Sequence, residues 1–228
     1  VNQPVSLRFE MAGIDFDRFH AFMRSLGNNA HKYFAMNTAG MKEVLQKAHD
    51  DGVLTGQDIC YFQAFGIPGR PDAMNFNCPE LATKVDVVDP AFMTQKQIEG
   101  KKGILRLRTF LRRYVPGFEN AYITEIAQLV GFRESRRIVG DYMLTVEDYI
   151  TKADFEDEIC RNSYYLDIHY TLDELHLLAD GKIDEDKRSA RYGPGESHGI
   201  PYRALLPAGI RNVLVAGRSI SCDKRIQG

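Results

Sequence analysis

Asn212-Val213-Leu214-Val215-Ala216-Gly217 is the stretch on which the reading of the fold turns. An apolar run bounded by Asn and Gly reads as a short strand buried on both faces. Strands of that kind belong to parallel sheets covered on both sides. The other strands predicted in this chain alternate polar and apolar residues, as antiparallel strands do. The stretch therefore has no parallel partner within the 228 residues. The expectation is a piece of a longer chain, its last strand parted from the sheet it serves.

Upstream, the pattern is mixed. Ser6 to Met11 alternates and predicts a strand with one buried face. Phe16, Phe19, Met23 and Leu26 recur at helical spacing, with Gly27 as a stop. Met41, Val44, Leu45 and Ala48 mark a second helix, with Thr38 near its start. Strands are predicted over Ile59 to Phe65, Ala73 to Asn77 and Leu81 to Val88, with a turn at Pro68 to Asp72. Thr94-Gln95-Lys96-Gln97 fits a capping box. The long helix behind it buries Ile98, Ile104, Leu107, Phe110, Leu111 and Tyr114. Its basic face, including Arg106, Arg108, Arg112 and Arg113, reads as solvated. Two more strands are expected at Tyr122 to Leu129 and Arg137 to Tyr142, and a helix start at Thr145. Asp180 to Gly199 is polar and loop-like. The predicted class is α+β: a mostly antiparallel sheet with packed helices over 1–199, then a terminal strand of a truncated α/β domain over 200–228.

Composition narrows the function. The chain is 44% apolar with 13 Phe and 11 Tyr, enough for a substantial core. Its net charge of -2 argues against nucleic acid or an anionic membrane as a partner. A role for the Arg106 to Arg113 face in nucleic-acid binding is opposed by that charge. No apolar run reaches the ~18 residues of a membrane span, and Val1-Asn2-Gln3-Pro4 does not open a signal peptide. A cytoplasmic location is expected. The four cysteines are scattered, and neither they nor the histidines have metal-ligand spacing, so no metal site is expected. Cys222 is the best placed of them for a reactive thiol.

Three stretches can carry chemistry. A strand ending at Gly217 lets a ligand approach the backbone, and Ser219 and Ser221 add hydroxyls. The competing reading is a plain strand-to-helix turn. Arg133, Arg136 and Arg137 cluster tightly enough to clamp a carboxylate or stabilise a developing anion. An exposed turn with an Arg–Glu network is the alternative. His169, after an alternating stretch, could serve as a general acid or base, although a lone His is more often a structural hydrogen-bonder. Gly193-Pro194-Gly195-Glu196-Ser197-His198-Gly199 imitates a dinucleotide loop, but the spacing is one residue off and Pro201 follows where a helix should begin. It is read as a loop.

Arg133 to Thr145 and Ile200 to Pro207, continuing through Val213 to Ser221, resemble a bacterial family of FAD-dependent oxidoreductases of the glutathione-reductase type, also described as fumarate-reductase-like. The resemblance implies FAD as cofactor, a small-molecule substrate and hydride transfer between the two. It implies that Gly217, Arg218, Ser219 and Ile220 border the pyrophosphate and ribityl chain. It implies that Arg133, Arg136, Arg137 and His169 face the flavin ring or substrate. The family's N-terminal Gly-x-Gly-x-x-Gly fingerprint is absent from this sequence. The fragment alone is thus expected to be inactive, with an inert α+β interaction module, open to homo-oligomer formation, as the alternative.

Overall fold

A computed structural model describes residues 3–27, 33–35, 41–55, 58, 63–81, 88–168 and 191–227. His169 and Thr38, both singled out above, lie outside the described residues, as do 59–62, 82–87 and 180–190. No helix among the described residues is long and apolar enough to cross a membrane. The chain divides into two compact units, Pro4–Phe132 and a second made of Val1–Gln3 with Arg133–Gly228. The division falls between Phe132 and Arg133, and 200–227 belong to the same unit as the stretch that starts at Arg133.

The first unit begins with alternation. Val5, Leu7, Phe9 and Met11 are buried while Arg8 is exposed, so one face packs and the other is solvated. The predicted single strand breaks into β1 (Val5–Ser6) and β2 (Phe9–Ala12). After α1 (Phe16–Ser25) come β3 (Tyr33–Ala35), α2 (Lys42–Asp50), β4 (Gln63–Ile67), β5 (Arg70–Phe76) and β6 (Glu80–Leu81). Then follow α3 (Pro90–Tyr114) and β7 (Tyr122–Ile126). The main sheet has the order β3-β4-β5-β2-β7, and β1 pairs with β6. Every ladder among the described strands is antiparallel, which bears out the α+β class.

Helix α1 buries Phe19 and Met23, and α2 buries Leu45 and Ala48. Phe9 stacks on Phe76 at 4.6 Å, and Phe19 meets Phe118 edge-on at 5.3 Å. Helix α3 buries Ile104, Leu107, Phe110 and Leu111, as expected. Its start differs: Asp89 caps it by accepting from the Ala91 N–H at 2.9 Å, with Pro90 in the first turn. The Thr94 hydroxyl instead bonds back to the Pro90 carbonyl, inside the helix. Ile98 is 51% exposed rather than buried. The basic face is also not purely solvated, because Arg106 grips the buried carboxylate of Asp58 with two bonds of 2.7 Å.

The second unit holds α4 (Val146–Thr151), β8 (Glu158–Asn162) and β9 (His198–Pro201). The predicted helix start is present as a complete capping box between Thr145 and Asp148. Leu144, Tyr149, Leu166, Cys222 and Ile226 form its core. The apparent dinucleotide loop turns at Pro194–Gly195 and then enters β9, so His198 and Gly199 are strand residues paired with Asn162 and Arg161.

Two predicted strands are not formed. Arg137 to Tyr142 is irregular, with one isolated bridge, Gly140 to Pro207, and a bend at Asp141 and Tyr142. Val213 to Ala216 is likewise irregular, with Val213 44% and Leu214 56% exposed. A strand apolar on both sides is stabilised by flanking strands and covering layers. Here the Val215 N–H bonds to the Leu205 carbonyl at 2.9 Å, but no ladder among the described residues runs alongside. One bond does not replace a neighbouring strand.

Candidate functional site

Two of the three stretches singled out for chemistry lie side by side. The Ile138 N–H donates to the Ser219 carbonyl at 3.0 Å, and Leu144 N–H to the Ser221 carbonyl at 3.0 Å. Asp223 N–H returns to the Leu144 carbonyl at 2.8 Å. On the other edge, the Asp141 N–H donates to the Leu206 carbonyl and the Ala208 N–H to the Val139 carbonyl. Gly140 makes this approach possible. A Cβ there would sit 2.6 Å from the Ser221 Cβ, where no side chain fits.

Within the arginine stretch, burial sorts the residues. Glu134 is only 4% exposed. Its carboxylate accepts from the Gln3 N–H and pairs with Arg137 at 3.7 Å. Arg137 also donates to the Gln227 side chain. Ser135 and Arg136 are exposed, and Arg133 is half-buried. The Arg–Glu network considered from the sequence is therefore real, and it is internal rather than an exposed turn. Its buried acid holds Arg137 and leaves Ser135 and Arg136 on the outside.

Opposite them, Gly217 adopts φ 71, a left-handed conformation suited to glycine. Beyond its two chain neighbours, no residue lies within 4 Å of where its Cβ would be. Arg218 is exposed and Ser219 half-buried, with the Ser219 hydroxyl 3.4 Å from that of Ser135. Ile220 packs in part against the second unit's core, so its side chain is partly spent on structure. Cys222 is buried there as well. Burial pushes its thiol up despite the opposing charge of Arg137, which makes it an inert core thiol rather than a nucleophile.

A second polar cluster escaped the sequence reading. His198 is 1% exposed, with Nδ1 at 2.9 Å from the Tyr192 hydroxyl. That hydroxyl donates to the Tyr149 carbonyl at 2.7 Å. Having given its one proton away, it accepts from His198 Nδ1–H. Tyr192 stacks on Tyr149 at 4.3 Å. Burial lowers the His198 imidazole and pushes the Tyr192 phenol up to about 12. The cluster ties β9 to α4. Spacing could not have found it, because Tyr149, Tyr192 and His198 meet only through the fold.

The first unit contains a cavity of about 380 Å³ lined by residues including Met93, Gln97, Ile98, Leu129 and Phe132. None of the expected site residues lines it. No group of residues able to hold a metal ion occurs among the described residues. Of the residues that build the site, sequence reasoning gave no role to Ser135 and took Glu134 only as part of an exposed network. The available signal was a single acid set among arginines, whose burial only the fold reveals. A family model described as FAD dependent oxidoreductase matches residues 1–228. No curated protein and no solved structure matches the chain.

Proposed function

The chain belongs to the FAD dependent oxidoreductase family, and from that premise we propose that it serves hydride transfer between a small anionic substrate and FAD. The observation that carries this reading is the pairing of 133–138 with 217–219 through the 3.0 Å bond from Ile138 to Ser219. It sets the anion-binding candidates beside the cofactor candidates. FAD is the family's cofactor, and when bound it supplies the hydride chemistry.

The residues present fit one border of that group. Gly217 offers open backbone in a conformation that leaves room for a ligand. Arg218 and Ser219 add charge and a hydroxyl, and Ile220 an apolar edge. These four are proposed to line the pyrophosphate and ribityl chain. The exposed apolar residues Val213 and Leu214 support a strand that completes a nucleotide-binding sheet. In this reading the glycine-rich loop comes from outside these residues, 200–228 is the returning cofactor segment, and 1–199 is the substrate side.

The arginines take different tasks. Arg137, held by Glu134 and Gln227, contributes a fixed positive charge. Arg136, exposed at the outer side, binds the substrate's anionic group, with Arg133 beside it. His169 relays the proton that accompanies hydride transfer. The test is the flavin-bound protein with Arg136→Ala. Substrate-dependent bleaching of the flavin should slow by at least about tenfold, the scale of one lost charged hydrogen bond. Unchanged kinetics would remove Arg136 from the role. A protein that takes up no FAD, even when extended by a glycine-rich segment, would remove the whole reading.

A further inference from the structure

We infer that Ser135 is a further cofactor-binding residue, its hydroxyl acting with that of Ser219 to hold one phosphate oxygen of FAD. The inference rests on the reading of Gly217 to Ile220 as the cofactor border. It adds a residue from a distant part of the sequence.

The two hydroxyl oxygens are 3.4 Å apart. That is longer than the usual O–H···O range of about 2.5 to 3.0 Å, so the bond between the two serines is a weak one. A third acceptor about 2.8 Å from both oxygens can instead take both protons. The Ile138 N–H to Ser219 carbonyl bond fixes one strip against the other. Glu134, next to Ser135, is anchored inward by Gln3 and Arg137. Burying Glu134 turns its neighbour outward, and Ser135 is exposed accordingly.

Charge selects the ligand atom. Arg136 follows Ser135, Arg218 precedes Ser219, and both are exposed. The adjacent acid, Glu134, is buried and already paired with Arg137. Guanidinium groups on both strips favour a phosphate oxygen over a neutral ribityl hydroxyl. The open backbone at Gly217 leaves space for such a group.

The test measures FAD affinity by flavin fluorescence, with ADP and riboflavin as separate competitors. Ser135→Ala and Ser219→Ala should each weaken FAD and ADP binding by about tenfold, as for loss of one hydrogen bond to a charged group. The double variant should lose less than the product of the two, because both hydroxyls serve one oxygen. Riboflavin affinity should not change, and Ser135→Thr should keep most of the binding. If Ser219→Ala weakens FAD but Ser135→Ala does not, this inference fails while the cofactor border stands. An equal loss in Ser135→Thr marks a packing effect and also overturns it. Weakened riboflavin with unaltered ADP overturns the phosphate assignment. If the protein takes up no FAD even when extended by a glycine-rich segment, or if both alanine variants bind it normally, the border and the inference fall together.

Discussion

At Gly140 and Asp58 single residues decide whether distant segments can meet. Gly140 brings the arginine strip against Ser221 with no space for a Cβ. Gly140→Ala should therefore overpack this contact and cost about 1 to 3 kcal/mol, read from urea unfolding. Stability equal to wild type would mean that the strip yields freely. Asp58 is 2% exposed and accepts from the Thr55 N–H and hydroxyl, both at 2.8 Å, as well as from Arg106. Asp58→Ala strands a half-buried guanidinium and frees the Thr55 turn. A loss of about 2 to 3 kcal/mol is expected. A change below about 0.5 kcal/mol, the range of ordinary surface substitutions, would show that the pair contributes nothing beyond its contacts with water. Sequence alone identified Arg106 as one cation of a basic face. Its partner lies 48 positions away in sequence, beyond any periodicity.

Among elements, the link from β9 to α4 gives the second unit a pH dependence. Burial lowers the His198 imidazole, and Arg161 adds to that, while Asp148 and Glu158 oppose it. Tyr149 and Tyr192 complete its surroundings. The folded state thus prefers neutral His198, whereas the unfolded chain takes up a proton near the ordinary value of about 6.5. The resulting stability is complete above that value and is lost as pH falls through the lowered folded value. The melting temperature should drop as pH falls below about 6.5, and His198→Gln should flatten that slope. A variant retaining the full slope would assign the acid sensitivity elsewhere. The capping box that starts α4 is legible in the sequence because its two partners sit three residues apart. The cap of α3 is not. Thr94-x-x-Gln satisfies the pattern, but Asp89-Pro90 offers a better start earlier in the chain, and the helix takes it.

For the whole molecule, the two units differ in how much core they own. The core of the first is rich in large side chains, among them Phe9, Phe19, Phe76, Phe110, Phe118 and Met11. The described core of the second rests on Leu144, Tyr149, Leu166, Cys222 and Ile226. Residues 4–132 should accordingly fold alone, with a single cooperative urea transition and a near-ultraviolet signal from packed aromatics. A non-cooperative curve with exposed apolar surface would contradict the independence of that core. The exposed Val213 and Leu214 belong to this scale as well. They are written for burial but have no ladder beside them among the described residues, so an apolar run predicts what a segment can become more reliably than what it forms by itself.

By itself the sequence determined the antiparallel α+β class, through the alternation of Leu7, Phe9 and Met11 and the helical spacing of Ile104, Leu107, Phe110 and Leu111. It also marked both candidate stretches, since clustered arginines and a glycine after an apolar run are local features. Only the tertiary structure decided that Ile138 bonds to Ser219 and that Glu134 is buried beneath exposed Ser135. It also left Val213 to Ala216 without a strand assignment. The physical reason is common to all three. Periodicity and local composition report what a segment prefers, whereas hydrogen-bond partners and burial depend on segments far away in the chain.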